Sequence, residues 1–516
     1  MAKKSKKQKK AKKAVDVAAP GVAAATAKPA VTVRHYCQGI GDCHLLTFPK
    51  ADGTVFRMLI DCGIHSSVKG GSIIIDEIVA DIKAVTGGKI DVLVVTHEHW
   101  DHVSGFSTAA EIFKDFTVGE VWMAWTENPA EPLAAQFDKY KGQALAALQS
   151  ASLKLDAEPN PGLHLTSIRD GLQAILGFQF GATGDKVRGA RNAAAKLAGG
   201  KTPTYLAPET APFSIAGVPG LRIYVLGPPR NKTLLNLEER ADEMYRLGAR
   251  SGWPLERALS ASLAASADVG APADDYSAPF DRNLGTDLAD LLAGPMDSDI
   301  GQFVGAHYAG PVAIAAPAPA KKGRQKLPDE NLSDQSWRRI DADWLGVAAD
   351  LAMQLDRGVN NTSLVLAFEL TDSGRVLLFP GDAQVGNWLS WQEVNWIIGG
   401  GKVEATDLMA RTVYLKVAHH GSQNATLEKK GLELMTSPDL SAFIPTNEVD
   451  AKKVGWGEMP YHSITETLAK KTSGRTIRAD DAWIGKANGK PAFAFPSGSI
   501  LAVRSEGKRW VELDLA

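Results

Sequence analysis

The chain has 516 residues, of which 44% are hydrophobic and 22% are charged, a composition typical of globular proteins. It contains no run of about 18 apolar residues, so we expect no insertion into a membrane. Its three cysteines, Cys37, Cys43 and Cys62, form neither a disulfide framework nor a Cys-x-x-Cys metal site. Together with the lack of a signal-peptide pattern, this cysteine usage predicts a cytoplasmic protein.

The charge of the chain is unevenly distributed. Residues 1–13 carry eight lysines and no acid, whereas the whole chain has 57 basic and 59 acidic residues. The other residues therefore have 49 bases against 59 acids, a net charge of −10. We expect residues 1–30 to be a disordered Lys-rich tail and linker. The tail is either a solubilising extension or a tether for nucleic acid or another polyanion.

Residues 31–130 alternate short apolar runs with glycines and acidic residues. Runs of this kind predict β-strands, and the longer amphipathic stretch Ile73–Val85 predicts a helix. We assign this segment to the first half of the globular domain. Its predicted strands are Val31–Tyr36, Cys43–Phe48, Val55–Ile60, Val92–Thr96 and Val121–Trp125.

Residues 131–350 differ in composition, being rich in alanine with apolar residues at helical spacing. They predict a large, mainly helical insertion, in which only the apolar strand Leu221–Leu226 is assigned to the core of the domain. Residues 266–335 are rich in Ala, Asp, Gly and Pro and predict no regular element. The predicted helices are Pro132–Leu155, Asp185–Leu197, Leu234–Ala265 and Trp337–Leu355.

Residues 351–516 return to strand-forming composition and are assigned to the second half of the domain. Asp372-Ser373-Gly374 predicts a hairpin turn between the first two of its strands. The predicted strands are Ser363–Leu370, Arg375–Phe379, Arg411–Ala418, Ala442–Ile444, Ser499–Val503 and Trp510–Leu513. We therefore expect one α/β domain made of two β-rich halves, with the insertion between them.

The segment from Asp91 to His102 carries the clearest chemical signal. An apolar run that predicts a buried strand ends in the order His97-Glu-His99-Trp-Asp101-His102. Imidazole and carboxylate are the natural ligands of zinc and similar divalent metals. His97 and His99 can face one metal ion, and Asp101 and His102 can face a second. The chain has only 11 histidines, so three of them within six positions are not expected of a solvated loop.

The pattern His-x-His-x-Asp-His after an apolar strand resembles the metallo-β-lactamase superfamily. The resemblance implies a four-layer αββα sandwich, with an active site on loops at one edge of the two sheets. Asp61, in Leu-Ile-Asp-Cys-Gly, matches the acid that braces a metal-ligand loop through hydrogen bonds. Asp382, in Leu-Leu-Phe-Pro-Gly-Asp, matches the acid that bridges two metals, and His419-His420-Gly-Ser contains the last ligand histidine.

Three segments are similar to a narrower group, the bacterial DNA-internalisation competence proteins of the ComEC type. They are Gly39-Ile-Gly-Asp42, Asn360-Asn361-Thr-Ser, and Leu415-Lys416-Val-Ala-His-His-Gly-Ser, and Tyr461-His462-Ser is a weaker match. The resemblance covers residues 31–130 and 355–465, without the membrane-spanning part of those proteins. It implies a free-standing soluble relative that acts on a phosphate-containing substrate, with nucleic acid as one candidate.

The metal site departs from the superfamily at one position. Many members have a ligand histidine shortly before the bridging acid, but here that region, Asn360–Ser363, has none. Water, an Asn oxygen, or His164 or His307 of the insertion could complete the site. We expect one or two Zn²⁺ ions, with Mn²⁺ as an alternative. The implied ligands are His97, His99 and Asp382 for one ion, and Asp101, His102, Asp382 and His420 for another.

Adjacent residues at a strand end point in different directions, so His419 and His420 are expected to have separate roles. By resemblance to phosphorylcholine esterases with the same His-His-Gly pattern, His420 would bind metal. His419 would contact the substrate phosphate or donate a proton to the leaving group, and Asp101 would orient the attacking water. Lys416 is either a second phosphate contact or a solvated surface lysine. His462 is a candidate substrate-side group.

The sequence thus predicts a metal-dependent hydrolase, with phosphodiester bonds as the first choice of substrate and a phosphodiesterase or nuclease as the enzyme class. Two alternatives stay open. One is a carbonyl hydrolase such as a β-lactamase, lactonase or thioesterase, and the other is a non-catalytic binding module. The insertion is expected to cap the site and restrict the size of the substrate. No feature of the sequence predicts the oligomeric state.

Overall fold

The structure is a computed structural model that describes residues 28–157, 185–235, 358–453 and 458–516. It also describes scattered positions between 166 and 176, and residues 237, 302, 303, 352 and 355. The Lys-rich tail up to residue 27 lies outside the described residues. So do His164 and His307, and nearly all of the predicted helices Leu234–Ala265 and Trp337–Leu355.

Two sheets form the centre of the described part of the chain. The first has the strand order β15 (Ile500–Arg504), β16 (Trp510–Leu515), β1 (Val31–Tyr36), β2 (Cys43–Pro49), β3 (Val55–Cys62), β4 (Lys89–Val95), β5 (Thr117–Ala124) and β6 (Thr204–Leu206). Strand β1 pairs antiparallel with both β16 and β2. Strands β3 to β6 run parallel to one another. The last two strands of the chain therefore complete a sheet that its first half begins.

The second sheet has the order β14 (Thr476–Arg478), β13 (Ser441–Ile444), β12 (Thr412–Lys416), β9 (Arg375–Phe379), β8 (Val365–Leu370) and β7 (Leu221–Gly227). Strand β7 pairs antiparallel with β8, so the apolar strand within the insertion lies at the edge of this sheet. Strands β9, β12, β13 and β14 run parallel. A separate hairpin joins β10 (Asn395–Ile398) to β11 (Gly401–Glu404).

The described part of the chain also contains helices, several of which pack on the outer faces of the sheets. In chain order they are α1 (Gly71–Thr86), α2 (Trp100–Thr108), α3 (Ala110–Phe113), α4 (Pro132–Ala157), α5 (Asp185–Lys196), α6 (Lys232–Leu235), α7 (Val385–Ser390), α8 (Ala405–Ala410), α9 (Glu448–Lys453) and α10 (His462–Lys471). Short 3₁₀ turns lie at Trp125–Glu127, Trp391–Glu393, Ala418–Gly421 and Leu432–Leu434. In the described part of the chain, no helix is both long and apolar enough to span a membrane.

Alternation along the strands explains the layers, because successive side chains of a strand point to opposite faces. In β2, Leu46 packs into the cluster between the sheets, where it joins Phe368 of β8. Its neighbour Leu45 faces the other way, toward Ile78 of α1. The outer face of the second sheet packs against α7, α8 and α10, as Leu415 does in a cluster with apolar side chains of these helices. The order helix, sheet, sheet, helix confirms the predicted αββα sandwich.

Candidate metal centre

Four strand ends meet at one edge of the sandwich. Asp61 lies near the end of β3, and the segment His97–His102 follows β4, its parallel neighbour in the first sheet. Asp382 follows β9, and His420 follows β12, its parallel neighbour in the second sheet. The carboxyl ends of parallel strands lie on the same edge of a sheet, which is where α/β proteins commonly bind ligands.

Asp61 fixes the segment that follows β4, which we call the metal loop (residues 96–102). Its carboxylate accepts hydrogen bonds from Thr96 N–H at 2.8 Å and from the Thr96 hydroxyl at 2.6 Å. It also accepts one from His102 Nδ1 at 2.8 Å. Because Nδ1 of His102 is used as a donor to Asp61, its Nε2 is turned to Asp382 Oδ2 at 3.0 Å.

Four side chains then converge. His420 donates from Nδ1 to the carbonyl of Pro445 at 2.8 Å, so its Nε2 faces Asp101 Oδ2 at 2.9 Å. Asp101, His102, Asp382 and His420 are all buried, and their potential ligand atoms lie within 4.8 Å of one another. Two imidazole nitrogens and two carboxylates are a donor set that fits a divalent metal ion.

The electrostatics of this four-residue group also suit a cation. Burial by itself lowers the pKa of His102, but the carboxylates of Asp382 and Asp101 outweigh it, so that pKa is raised well above its usual value. The pKa of Asp382 is lowered despite burial, because of His102 and Lys416. The first shift shows that the surrounding carboxylates favour positive charge at His102, and the second shows that neighbouring cations keep Asp382 ionised.

His97 and His99 lie beside the four-residue group and are not part of it. His97 Nε2 is 3.1 Å from His99 Nδ1, and the ring centroids of His97 and His102 are 4.2 Å apart. Burial lowers the pKa of both residues, that of His99 to about 4, so both are neutral at physiological pH. Neutral imidazole is the form that binds metal. A first metal position built on this pair stays a proposal.

The two adjacent histidines have different surroundings, and both have left-handed backbone, with φ of 43° at His419 and 56° at His420. His420 enters the four-residue group. His419 is half-buried and accepts a hydrogen bond at Nδ1 from Gln384 Nε2 at 3.1 Å. Asn424 Nδ2 donates to Gln384 Oε1 at 3.2 Å, and Ser422 donates to Asn424 Oδ1 at 2.8 Å. This series of bonds fixes the tautomer of His419, with its proton on Nε2.

Lys416 is buried and is held by several partners within the protein. Its side chain is 1% exposed, and Nζ donates to the carbonyl of Gly381 at 2.8 Å. Nζ also lies 3.3 Å from Asp382 Oδ1 and forms an ion pair with Asp42. The expectation of a solvated lysine was wrong, because β12 ends inside the sandwich and its last side chain is buried between the two sheets. The alternative of a phosphate contact stays a prediction, and the protein partners of Nζ count against it.

His462 lies outside the buried group, and its expected role as a substrate-side group stays a prediction. It is the first residue of α10, its side chain is 71% exposed, and it pairs with Glu466 one turn later at 3.1 Å. Its neighbour Tyr461 donates a backbone hydrogen bond to Gly421, so the segment lies against the His-His-Gly turn. The imidazole of His462 nevertheless faces solvent and stays outside the buried group.

Asp42 has a position that the sequence alone did not assign. It is 1% exposed, and besides Lys416 it lies 3.4 Å from His44 Nε2 and 3.8 Å from His102 Nδ1. The preceding residue, Gly41, has φ +125°, and a Cβ there would lie 2.6 Å from the carbonyl oxygen of Asp101. The signal in the sequence for a role of Asp42 was the Gly-x-Gly-Asp segment. In it, a glycine that permits close approach of the backbone is followed directly by an acid.

Glu98 links the metal loop to the insertion and was also missed. It is buried and forms an ion pair with Lys141 of α4. Arg191 of α5 donates from Nη1 to Glu98 and to Glu127, both at 2.7 Å. No sequence signal marks these pairs, because the partners come from separate segments of the chain.

Comparison with known families agrees with this geometry. The model of the metallo-beta-lactamase superfamily matches residues 39–169, a range that includes Asp42, Asp61 and the metal loop. Among curated proteins, the comparison finds no match. Asp382 and His420 lie outside the matched range, but the fold brings them to the same edge. Residues 39–169 are therefore similar to the metallo-beta-lactamase superfamily, and both halves of the sequence contribute to the candidate metal centre.

Proposed function

We propose that this protein is a metal-dependent hydrolase that cleaves phosphodiester bonds, as a phosphodiesterase or nuclease related to the hydrolase domain of ComEC-type competence proteins. The observation that carries the proposal is the convergence of Asp101, His102, Asp382 and His420 within 4.8 Å. Such a donor set suits Zn²⁺, and its carboxylate oxygens also suit Mn²⁺.

Asp101, His102, Asp382 and His420 would hold a divalent ion, and such an ion would supply the Lewis acidity that activates water. Asp101 is the residue that we assign to orient this water. Its Oδ2 is held 2.9 Å from His420 Nε2, and it lies in the first turn of α2, whose start is fixed by the backbone of the metal loop. A carboxylate on a helix terminus is held more firmly than one on a free loop, which favours a single orientation of the water.

His419 is the residue that we assign to contact the substrate phosphate. Burial lowers its pKa to about 4, so the ring is neutral, and because Nδ1 accepts from Gln384, the Nε2–H group is the one that can donate a hydrogen bond to a phosphate oxygen. Its backbone N–H is bound to Asp382 Oδ1 at 3.1 Å, which keeps the imidazole beside the metal centre. Because His419 is half-buried whereas His420 is fully buried, His419 is the better placed of the two to meet a substrate.

Our preference for a phosphodiester over a carbonyl substrate rests on the sequence segments that resemble the competence proteins. These segments include Asp42, Asn360 and Lys416, and they supply no third ligand histidine before Asp382. The two carboxylates of the four-residue group also suit hard cations, which are the usual partners of phosphate groups. A carbonyl hydrolase shares the metal chemistry, so the substrate test must include both classes.

The experiment is hydrolysis of bis-p-nitrophenyl phosphate and of single-stranded DNA by the full chain loaded with Zn²⁺ or with Mn²⁺. Nitrocefin and a thioester serve as carbonyl substrates, and Asp101→Ala and Asp382→Ala serve as controls. We expect turnover of the phosphodiester that both variants lose, with less bound metal in Asp382→Ala by elemental analysis. Turnover of carbonyl substrates alone, or full activity of Asp382→Ala, would overturn the proposal.

A further inference from the structure

An ion pair lies inside the sandwich directly behind the metal centre. Lys416, the last residue of β12, and Asp42, just before β2, are each 1% exposed and are in contact. Removing two charges from water is costly unless each finds several good partners. The three protons of the ammonium group find Asp42, the carbonyl of Gly381 and Asp382 Oδ1.

The contacts of Asp382 divide its two oxygens between two surroundings. Oδ1 lies 3.3 Å from Lys416 Nζ and accepts from His419 N–H at 3.1 Å. Oδ2 lies 3.0 Å from His102 Nε2 and 3.7 Å from His420 Nε2. One oxygen is therefore held by the protein, while the other faces the nitrogen atoms that we propose as metal ligands.

Asp42 holds Lys416 in turn, and its own position is fixed from the opposite side. His44 Nε2 lies 3.4 Å from Asp42 Oδ2, and His44 Nδ1 is 2.8 Å from His35 Nδ1. His35 contacts the hydroxyl of Tyr414, which lies on the same strand as Lys416. This series of polar contacts starts at Lys416 on β12, passes through Asp42, His44 and His35 on the side of the first sheet, and returns to Tyr414 on β12. A shift of the ion pair would therefore move both sheets.

We propose that Lys416 and Asp42 are positioning residues of the metal centre, which hold Asp382 Oδ1 so that Oδ2 alone is presented to metal. This inference rests on the proposed function. It gives the Gly-x-Gly-Asp segment and the lysine of Leu-Lys-Val-Ala-His-His-Gly-Ser a shared role, although they come from opposite halves of the chain. It also explains why lysine is used, since a neutral side chain could not balance two buried carboxylates.

The test compares Lys416→Met, Asp42→Asn and the double variant with the wild type. Zn²⁺ affinity is measured by calorimetry, and the geometry of the centre by the visible absorption of the Co²⁺-loaded protein. Arg34→Met is the matched control, because Arg34 is also a poorly exposed cation with two carboxylate partners, Asp81 and Glu512, but contacts no residue of the centre.

Lys416→Met is expected to bind Zn²⁺ about 10- to 100-fold more weakly and to show a changed Co²⁺ spectrum, since partners of metal ligands have effects of this size. The double variant removes both buried charges, so it is expected to recover thermal stability without recovering Zn²⁺ affinity. Arg34→Met is expected to lose stability while its Zn²⁺ affinity stays the same.

Two results would count against the inference in different ways. If the wild type binds Zn²⁺ and the double variant matches it in affinity and in Co²⁺ spectrum, the pair is structural only and the proposed function stands. If the wild type binds neither ion, the proposed function fails first and this inference fails with it.

Discussion

The ion pairs between the insertion and the metal loop allow a quantitative prediction. Glu98, between the two histidines His97 and His99, meets Lys141 of α4 and Arg191 of α5. The side chains of Glu98 and Arg191 are 10% and 14% exposed, so water screens their interaction poorly. We predict that Arg191→Met destabilises the protein strongly and loosens the metal loop, although Arg191 is far from the loop in sequence.

The size of the effect follows from the pKa of Glu98. Burial by itself raises this pKa, but Lys141 and Arg191 outweigh it and lower the pKa from 4.5 to about 2. At about 1.4 kcal/mol per pKa unit, this difference corresponds to about 3.5 kcal/mol of stability at neutral pH, to which Lys141 and Arg191 both contribute. Loss of one cation from a buried pair is expected to cost about 3–5 kcal/mol, which is of the same order.

The sign of the pH dependence of stability follows from the same pKa. Because the pKa of Glu98 is lower in the folded protein, its stabilisation is complete above the unfolded value of 4.5 and is lost as the pH falls toward 2. The difference in stability between the wild type and Arg191→Met should therefore be largest at neutral pH and should shrink below pH 4.5.

Urea unfolding of both proteins at several pH values measures this difference. Arg188→Met is the control, because Arg188 lies one turn earlier on α5 but pairs with Asp138 at side-chain exposures of 36% and 43%. We expect the control to change stability by less than about 1 kcal/mol. Equal effects of the two variants, or a loss in Arg191→Met that is the same at pH 7 and pH 3, would refute the reasoning.

Three further predictions concern the metal centre. Gly63→Ala should destabilise the protein and abolish metal binding, since a Cβ there would lie 2.2 Å from the carbonyl of Asp101. The control Gly189→Ala, in open space on α5, should do neither. Thermal melts and elemental analysis compare the two variants. Asp61→Asn should weaken Zn²⁺ binding by about 10- to 100-fold in calorimetry, because the amide cannot accept all three hydrogen bonds from Thr96 and His102. Removing metal with a chelator should lower the melting temperature, and saturation at 100 times Kd should restore about 2.7 kcal/mol; an unchanged melt would contradict a bound metal.

Local patterns in the sequence were sufficient for most of the sheet strands. The predicted bounds of Val31–Tyr36 and Arg375–Phe379 agree with the structure, and the helix predicted at Ile73–Val85 is only slightly longer. Apolar alternation between glycines and acids is a short-range signal, so it can be read without tertiary contacts. The strand predicted at Arg411–Ala418 is shorter, because the chain leaves the sheet after Lys416 and enters the left-handed turn at His419.

Other features of the structure depend on tertiary contacts, so local sequence patterns could not predict them. Short helices such as α7 and α10 were missed because their few turns give a weak periodic signal and are stabilised by packing on the second sheet. The role of Lys416 depends on Asp42, which lies in the other half of the chain, and a lysine in a strand is equally compatible with surface and interior until that partner is known. For His462, the first position of α10 places the side chain in solvent.

The placement of buried charge indicates what this edge of the sandwich is built to do. Asp101 and His102 come from the first half of the chain, and Asp382 and His420 come from the second, so a shared cation would join the halves across the two sheets. Lys416 reaches only Oδ1 of Asp382, so Oδ2 of Asp382 and Oδ2 of Asp101 face the imidazoles of His102 and His420. Buried carboxylates are stable only when paired or bound to metal. A divalent cation bound at this point would join the two halves where they meet, so we expect metal binding to raise the stability of the sandwich.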